Sequence, residues 1–385
     1  MKYYIISGEA SGDMHGANLI KSLKAKDSQA EFRCWGGDLM QAAGATVVKH
    51  YRDLAFMGFA EVAMHLGTIL ANFRFCRKDM DAYQPDIVIL IDYPGFNMPM
   101  ARYAHKQGYK VFYYIAPQVW AWRTGRIKKL KKYTDAVYTL MPFERRFYEA
   151  YQAEALYEGN PLVDSILAYR PDEDFIARFK AEADAKGDER KLVVILPGSR
   201  KQEIKRIFPM MLEVASRQPR FRYVVAGTKN LPDAMYRQYL AAYPDIELVY
   251  GHTYDLFTMA WAGLVKSGTS TLEAALFGVP EVVCYQTSPV TYAIGRMFVN
   301  KQVRFISLVN LIMDRLVVVE LLQQDFTVQR LEAEFLKIAN DTVERKKQLQ
   351  DYVELKKVMG SGGTSDRVAA SIISIFGRIT NREAK

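Results

Sequence analysis

The first apolar run of the chain, Tyr3-Tyr4-Ile5-Ile6, is short and continuous, and it ends at Ser7-Gly8. A run that is apolar on both faces predicts a strand covered on both sides, as in a parallel sheet. Residues 17–24 then carry a helical spacing. The alternation recurs, with strands predicted at residues 32–35, 87–91, 110–115 and 136–140 and helices between them, notably at 61–75 and 98–107. Alternating strands and helices predict an α/β protein with a doubly wound parallel sheet.

Around Gly159-Asn160-Pro161 the rhythm breaks, and a charged stretch covers residues 172–191. It then resumes with Leu192-Val193-Val194-Ile195-Leu196 and further strands predicted at 223–226, 246–249, 264–266 and 282–285. Two halves of similar rhythm suggest two Rossmann-like domains facing a cleft. A length of 385 residues agrees, because single cores stop growing at about 250–300 residues. The expected boundaries are 1–165 for the first domain and 166–363 for the second. Gly360, Gly362 and Gly363 mark a late hinge, and a helix over 367–376 is expected to return residues 364–385 to the first domain.

Composition narrows the picture modestly. A formal charge of +9 favours anionic partners without choosing among nucleic acid, acidic membrane and phosphorylated substrates. Three widely spaced cysteines, Cys34, Cys76 and Cys284, argue against a disulfide framework or a zinc site and fit a reducing cytosol. The first eight residues are too short for a signal-peptide core. No stretch approaches the roughly 20 apolar residues of a spanning helix. A soluble or peripheral protein on the cytoplasmic side is therefore expected.

Four segments carry candidate chemistry. Ser267-Gly268-Thr269-Ser270-Thr271-Leu272-Glu273 follows a strand, so a helix N-terminus there could hold a diphosphate, with Glu273 reaching ribose hydroxyls. The alternative is an ordinary helix start capped by Thr269 or Ser270. Leu196-Pro197-Gly198-Ser199-Arg200 ends the second domain's first strand, and Arg200 could neutralise a leaving diphosphate; a surface turn is the alternative. In Leu90-Ile91-Asp92-Tyr93-Pro94-Gly95-Phe96-Asn97, Asp92 ends an apolar strand and is the candidate general base, unless it only holds a turn. Gly8-Glu9-Ala10-Ser11-Gly12-Asp13-Met14-His15-Gly16 matches neither GxGxxG nor GxxxxGK[ST], so it reads more safely as a tight strand-to-helix turn, with His15 structural.

A further pattern concerns membranes. Val62, Leu66, Ile69, Leu70 and Phe73 share one helix face, and Phe59 and Met64 widen it. Such stripes usually face a core, but this width also fits an interfacial helix. Arg123, Arg126, Lys128, Lys129, Lys131 and Lys132 fall within ten residues without an acid. They form a solvated face or a surface attracted to anionic lipid; no nucleic-acid motif accompanies them. Asp79-Met80-Asp81 and Asp172-Glu173-Asp174 are acidic but lie off the strand ends, so both read as surface charge. No metal and no cofactor are expected.

Taken together, the blocks starting at Ser7, Met57, Ile91, Pro117, Leu196 and Ser267 resemble the lipid-A-disaccharide synthase family across nearly the whole chain. Pro117-Gln118-Val119-Trp120-Ala121-Trp122-Arg123, with its two tryptophans, is the most distinctive. The resemblance implies a GT-B fold, with C-terminal helices returning to the N-terminal domain. It implies an inverting transfer of 2,3-diacylglucosamine from UDP to 2,3-diacylglucosamine 1-phosphate, giving the β-1,6 lipid A disaccharide. Asp92 is then the essential carboxylate, with Arg200 also catalytic. Gly198, Ser199, Arg200, Ser267, Gly268, Thr269, Glu273 and Asn310 bind UDP, and Gly12 and Gln118 join the substrate contacts. The chain departs from the family at Gly95, where many members carry a second Asp. Acylated substrates imply attachment to the inner face of the inner membrane, through Phe59, Val62, Leu66, Ile69, Phe73, Lys128 and Lys129. A homodimer is also implied. Other readings are a UDP-N-acetylglucosamine epimerase, a peptidoglycan glucosaminyltransferase, or a non-catalytic nucleotide-binding or membrane-surface module.

Overall fold

The computed structural model of the protein describes residues 1–54, 66–117, 119, 125–288, 292 and 303–383. The chain divides into two compact units, residues 1–164 with 361–385, and residues 165–360. In the first, β1 (Lys2–Ile6), α1 (Ala10–Lys26), β2 (Glu31–Gly36), α2 (Asp38–Ala42), β3 (Thr46–His50), α3 (Leu66–Tyr83), β4 (Ile87–Ile91), α4 (Pro94–Lys106), β5 (Lys110–Tyr114), α5 (Arg126–Tyr133), β6 (Ala136–Tyr138) and α6 (Glu144–Glu149) follow one another. The boundary helix is α7 (Pro161–Ala168).

The second unit contains α8 (Glu173–Asp184), β7 (Lys191–Leu196), α9 (Lys201–Arg217), β8 (Phe221–Gly227), α10 (Asp233–Leu240), β9 (Glu247–Tyr250), α11 (Thr253–Met259), β10 (Ala262–Lys266), α12 (Thr269–Phe277), β11 (Glu281–Tyr285), α13 (Leu308–Met313), β12 (Val319–Leu322), α14 (Val328–Ala339) and α15 (Val343–Met359). The last helix, α16 (Thr364–Glu383), belongs to the first unit again.

Each unit holds a six-stranded sheet, ordered β3-β2-β1-β4-β5-β6 in the first and β12-β11-β10-β7-β8-β9 in the second. All pairings are parallel. Side chains alternate across a strand, so each sheet feeds two cores. In the first unit Tyr4, Ile6, Val88, Leu90, Val111 and Tyr113 enter one core, and Tyr3, Ile5, Ile87, Ile89, Phe112 and Tyr114 enter the other. In the second, Val193 and Ile195 face one core, and Leu192, Val194 and Leu196 the other. This is why the strands read as unbroken apolar runs.

The return of the chain is fixed by specific contacts. Val368, Ala369 and Ile372 of α16 join the core of Tyr3 and Ile5. Asp164 caps the helix, accepting from the Thr364 amide at 3.0 Å. The Arg367 guanidinium donates to the Glu158 carbonyl at 2.8 Å, and Tyr138 donates to Ser371 at 3.1 Å.

Candidate functional site

In an open parallel sheet, ligands gather at the carboxyl ends of the strands where the order reverses. In the first unit this point lies between β1 and β4, which pair directly, Ile6 with Leu90. Asp92 follows β4, and Ser7-Gly8-Glu9 follows β1. Asp92 and Tyr93 are both left-handed, with φ of 44° and 46°. Such backbone costs on the order of 1–3 kcal/mol per residue and needs its surroundings to hold it. The Asp92 amide donates to the Tyr114 carbonyl at 3.2 Å. Its carbonyl accepts from the Asn97 side-chain amide at 2.8 Å and the Tyr113 hydroxyl at 2.7 Å. Gly8 leaves room for the Tyr93 ring, since a Cβ there would lie 2.4 Å from it.

The side chain of Asp92 is half-buried, and Glu9 is close enough to act on it electrostatically. Burial first, and then the Glu9 charge, push its carboxyl up to about 6, against the Tyr93 amide. It is therefore a stronger base than an ordinary carboxylate and is still ionised at neutral pH. Glu9 was missed in the sequence, although it stands inside a quoted block; nothing in the spacing linked it to a strand 80 residues on. Gly12 and Asp13 in that block pack the turn. Gly12 is buried, and a Cβ on it would fall 2.8 Å from that of Ser7. Asp13 accepts from the amides of Gly37, Leu39 and Met40 at 2.7–3.1 Å. Burial draws the His15 imidazole below its usual value. At Gly95, an added Cβ would meet nothing within 4 Å, so the missing carboxylate reflects the sequence and not a lack of space.

In the second unit the equivalent point lies between β7 and β10, paired Leu196 with Val265. A cavity of about 340 Å³ opens there, lined among others by Gly198, Ser199, Lys266, Gly268, Thr269 and Glu273. Helix α12 starts at its wall with Gly268 as N-cap and no side-chain cap, so neither Thr269 nor Ser270 fills that role. The uncapped amides and dipole end favour an anion. Gly198 has φ +114°, and a Cβ would lie 2.5 Å from Glu203. Glu203 accepts from the Ser199 amide at 3.0 Å and pairs with Lys266 at 2.7 Å. Tyr254 donates to Glu273 at 2.8 Å, and burial raises the Glu273 carboxyl.

Three expected UDP contacts stand apart from this group. Arg200 is not in the lining; it caps α9 with its side chain 82% exposed and only 3.9 Å from Glu203. Ser267 is buried, its hydroxyl donating to the Ile306 carbonyl at 3.4 Å. Asn310 is fully buried, and its amide is consumed by the chain: it donates to the Val318 carbonyl and Glu320, both at 2.8 Å, and accepts from the Val317 and Val318 amides. It shapes the segment after β11 and does not line the cavity. Lys266, Glu203 and Tyr254 were missed; Lys266, a charge ending an apolar strand, carried the same signal as Asp92.

Of the proposed membrane contacts, Phe59 and Val62 lie outside the described residues, as do Gln118 and the side chain of Leu66. Ile69 is half-buried. Phe73 faces inward, stacked on Phe96 at 4.4 Å between centroids. Its helix runs on to Tyr83 with Cys76 and Met80 buried, so this face packs the core, while Leu70 and Phe75 are exposed. Lys128 and Lys129 are exposed while Ile127 and Leu130 of the same helix are buried. Asp79 is not surface charge: it is nearly buried and held by Arg33 at 2.5 Å and Tyr4 at 2.7 Å. Asp172 caps α8 through the Phe175 amide at 2.9 Å. Among the described residues no group of three His, Cys, Asp or Glu is placed to hold a metal ion, and no helix is long and apolar enough to cross a membrane.

Comparison with known proteins agrees with the geometry. The profile of the lipid-A-disaccharide synthetase family matches residues 3–372. Lipid-A-disaccharide synthases from Geobacter metallireducens and Syntrophus aciditrophicus are 37% and 35% identical, with 97% of each chain covered. Among solved structures, the UDP-GlcNAc 2-epimerase of Neisseria meningitidis bound to UDP-GlcNAc superposes with TM-score 0.64 at 13% identity, over 97% of this chain and 100% of that one. The calicheamicin glycosyltransferase CalG4 superposes with TM-score 0.57 at 14% identity, over 98% of each. At such identities these structures speak for the GT-B fold alone. The sequence matches say more: the chain belongs to the lipid-A-disaccharide synthase family.

Proposed function

We propose that the protein transfers 2,3-diacylglucosamine from UDP to the 6-hydroxyl of 2,3-diacylglucosamine 1-phosphate, with inversion, releasing UDP and the β-1,6 lipid A disaccharide 1-phosphate. The observation that carries this reading is the family match over residues 3–372, which spans both switch points. Asp92 takes the proton of the acceptor hydroxyl. The acceptor oxygen attacks the anomeric carbon, whose bond to the diphosphate breaks, and UDP leaves with the electron pair. Base catalysis of this kind is worth roughly 10²–10⁴-fold.

The second unit handles the leaving group. The uncapped end of α12 and the ammonium of Lys266 meet its growing negative charge, and Arg200 adds an exposed guanidinium at the end of the Gly198 loop. Glu273, fixed by Tyr254, takes the ribose hydroxyls. Acyl chains favour a bilayer by about 0.8 kcal/mol per buried CH₂, so the enzyme works at the inner face of the inner membrane.

The test is mass spectrometry of products from purified protein given both diacylated substrates. A disaccharide 1-phosphate and stoichiometric UDP are expected. Product from UDP-N-acetylglucosamine instead, or its epimerisation, would reject the assignment.

A further inference from the structure

Away from both switch points, the first unit contains a groove of about 600 Å³ between α3, α4 and α5. Its walls carry Arg77, Arg102, Lys106, Lys128, Lys129 and Lys132, all exposed. The cations converge because of helical spacing. Arg102 and Lys106 are four apart on α4, Lys128 and Lys132 four apart on α5, and Ile127 and Leu130 turn the opposite side of α5 into the core. None of the six has an ion pair among the described residues. Nearby Asp81 is engaged by the Tyr103 hydroxyl at 2.5 Å. Six like charges around one concavity repel one another unless an anion occupies it. The volume falls within the ordinary range for ligand sites, about 300–1,000 Å³.

Two features choose the anion. The groove's aromatic faces are taken: Arg77 lies over the Tyr103 ring at 5.0 Å, and Lys132 over the Tyr133 ring at 5.6 Å. Bases of a single strand, which bind by stacking on such faces, find no platform. On α3, Leu70, Arg74 and Arg77 fall on one face, and Leu70 is 48% exposed. Seven residues separate Leu70 from Arg77, about 10 Å along the helix at 1.5 Å per residue. A cationic pocket with an exposed apolar side chain two turns away matches an amphiphile with an anionic head.

We infer that the groove between α3, α4 and α5 is a discrete site for the phosphodiester headgroup of an anionic membrane phospholipid, with Leu70 entering the acyl region beside it. This rests on the proposed action at a membrane surface and adds that attachment is a defined, saturable site and not diffuse charge. The acyl contact is then Leu70, which stays exposed one turn before inward-packed Phe73.

The experiment compares two triple variants of the full chain: Arg102→Gln/Lys128→Gln/Lys132→Gln in the groove, and Lys346→Gln/Lys356→Gln/Lys357→Gln on exposed α15. Both remove three exposed charges. Binding is measured by co-sedimentation with phosphatidylcholine vesicles containing 30% phosphatidylglycerol. At about fivefold per basic side chain near the surface, the groove variant is expected to lose about a hundredfold in affinity and the α15 variant under about threefold. Saturable binding of dihexanoyl-phosphatidylglycerol to wild type, absent in the groove variant, is expected as well. Equal losses in the two variants overturn the inference in favour of net charge. Loss of oligonucleotide binding in the groove variant, with vesicle binding unchanged, overturns it in favour of nucleic acid. Turnover on detergent-dispersed substrates separates the remaining possibilities. The groove variant should keep wild-type kcat and acceptor KM; an acceptor KM raised as much as the vesicle affinity falls makes the groove an acceptor subsite instead. If wild type makes no disaccharide while vesicle binding behaves as expected, the proposed reaction fails and the lipid site stands.

Discussion

The two sheets of this protein share a strand order and differ in the groups they present at the same topological place. Where β1 meets β4, the first unit presents two carboxylates, Glu9 and Asp92, the latter on left-handed backbone. Where β7 meets β10, the second presents the uncapped start of α12 and the Lys266–Glu203 ion pair beside a cavity. Topology decides where a site can form, because only strand ends at a reversal leave a crevice. Side-chain chemistry decides what the site does. An acidic end can accept a proton, and a helix start with free amides can hold a departing diphosphate. Under the proposed reaction, acceptor activation falls to the first unit and donor binding to the second.

The sharpest way to break that division is Asp92→Asn. It removes the base while keeping the shape and the hydrogen bonds of the Asp92 backbone. We expect kcat to fall by about 10²–10⁴-fold, with UDP affinity by calorimetry unchanged. A matching loss of UDP affinity would show that the two ends are not separable. The reciprocal change is Arg200→Ala. Losing a hydrogen bond to a charged group costs about 1.5–3 kcal/mol, so UDP should bind roughly 10–100-fold more weakly. Because Arg200 is 82% exposed with one loose internal partner, its melting temperature should stay near wild type. Unchanged calorimetric affinity for UDP would remove Arg200 from the donor site.

A parallel pair of substitutions asks whether each end depends on its own glycine. In Gly8→Ala the new methyl meets the Tyr93 ring at 2.4 Å; in Gly198→Ala it meets Glu203 at 2.5 Å on backbone with φ +114°. Each should cost roughly 1–3 kcal/mol of stability. Their functional effects should diverge. Gly8→Ala should lower kcat through displaced Asp92, and Gly198→Ala should weaken UDP. If both variants show the same kinetic defect, loop collapse and not local chemistry is responsible.

Legibility in the sequence followed the same divide between backbone and side chain. Central strands such as Tyr3–Ile6 and Leu192–Leu196 were readable because both faces are buried, and so was the doubly wound class. The edge strands β3 and β12 were not. Thr46–His50 is half-exposed with Lys49 and His50 in it, and Val319–Leu322 is embedded in a longer apolar stretch that fits a helix equally well. The helix predicted at 61–75 runs on to Tyr83, because Cys76 and Met80 continue its buried face between charged residues. Strand ends announced Asp92 and the Gly198 and Gly268 loops. The partners Glu9 and Tyr254 were invisible, since only folding brings Glu9 to Asp92 and Tyr254 to Glu273. Asn310 came only from the resemblance, and its side chain is engaged by Glu320 and by the backbone of Val317 and Val318.

The smallest effect tests the carboxylate pair itself. As the proposed base Asp92 would act in its ionised form, and burial with Glu9 holds its carboxyl at about 6, so kcat should fall as pH drops through about 6. The sign follows from which form is the base: protonation below that value empties the site of its acceptor. Glu9→Gln removes the neighbouring charge and keeps the shape. Burial, the larger cause, remains, so the acid limb should move to lower pH without reaching the ordinary carboxylate range. The gain at low pH should come with a weaker base, and hence a slightly lower plateau at pH 8. A pH profile identical to wild type would mean that Glu9 does not act on Asp92, and that the acidic character of the first unit's switch point resides in one carboxylate alone.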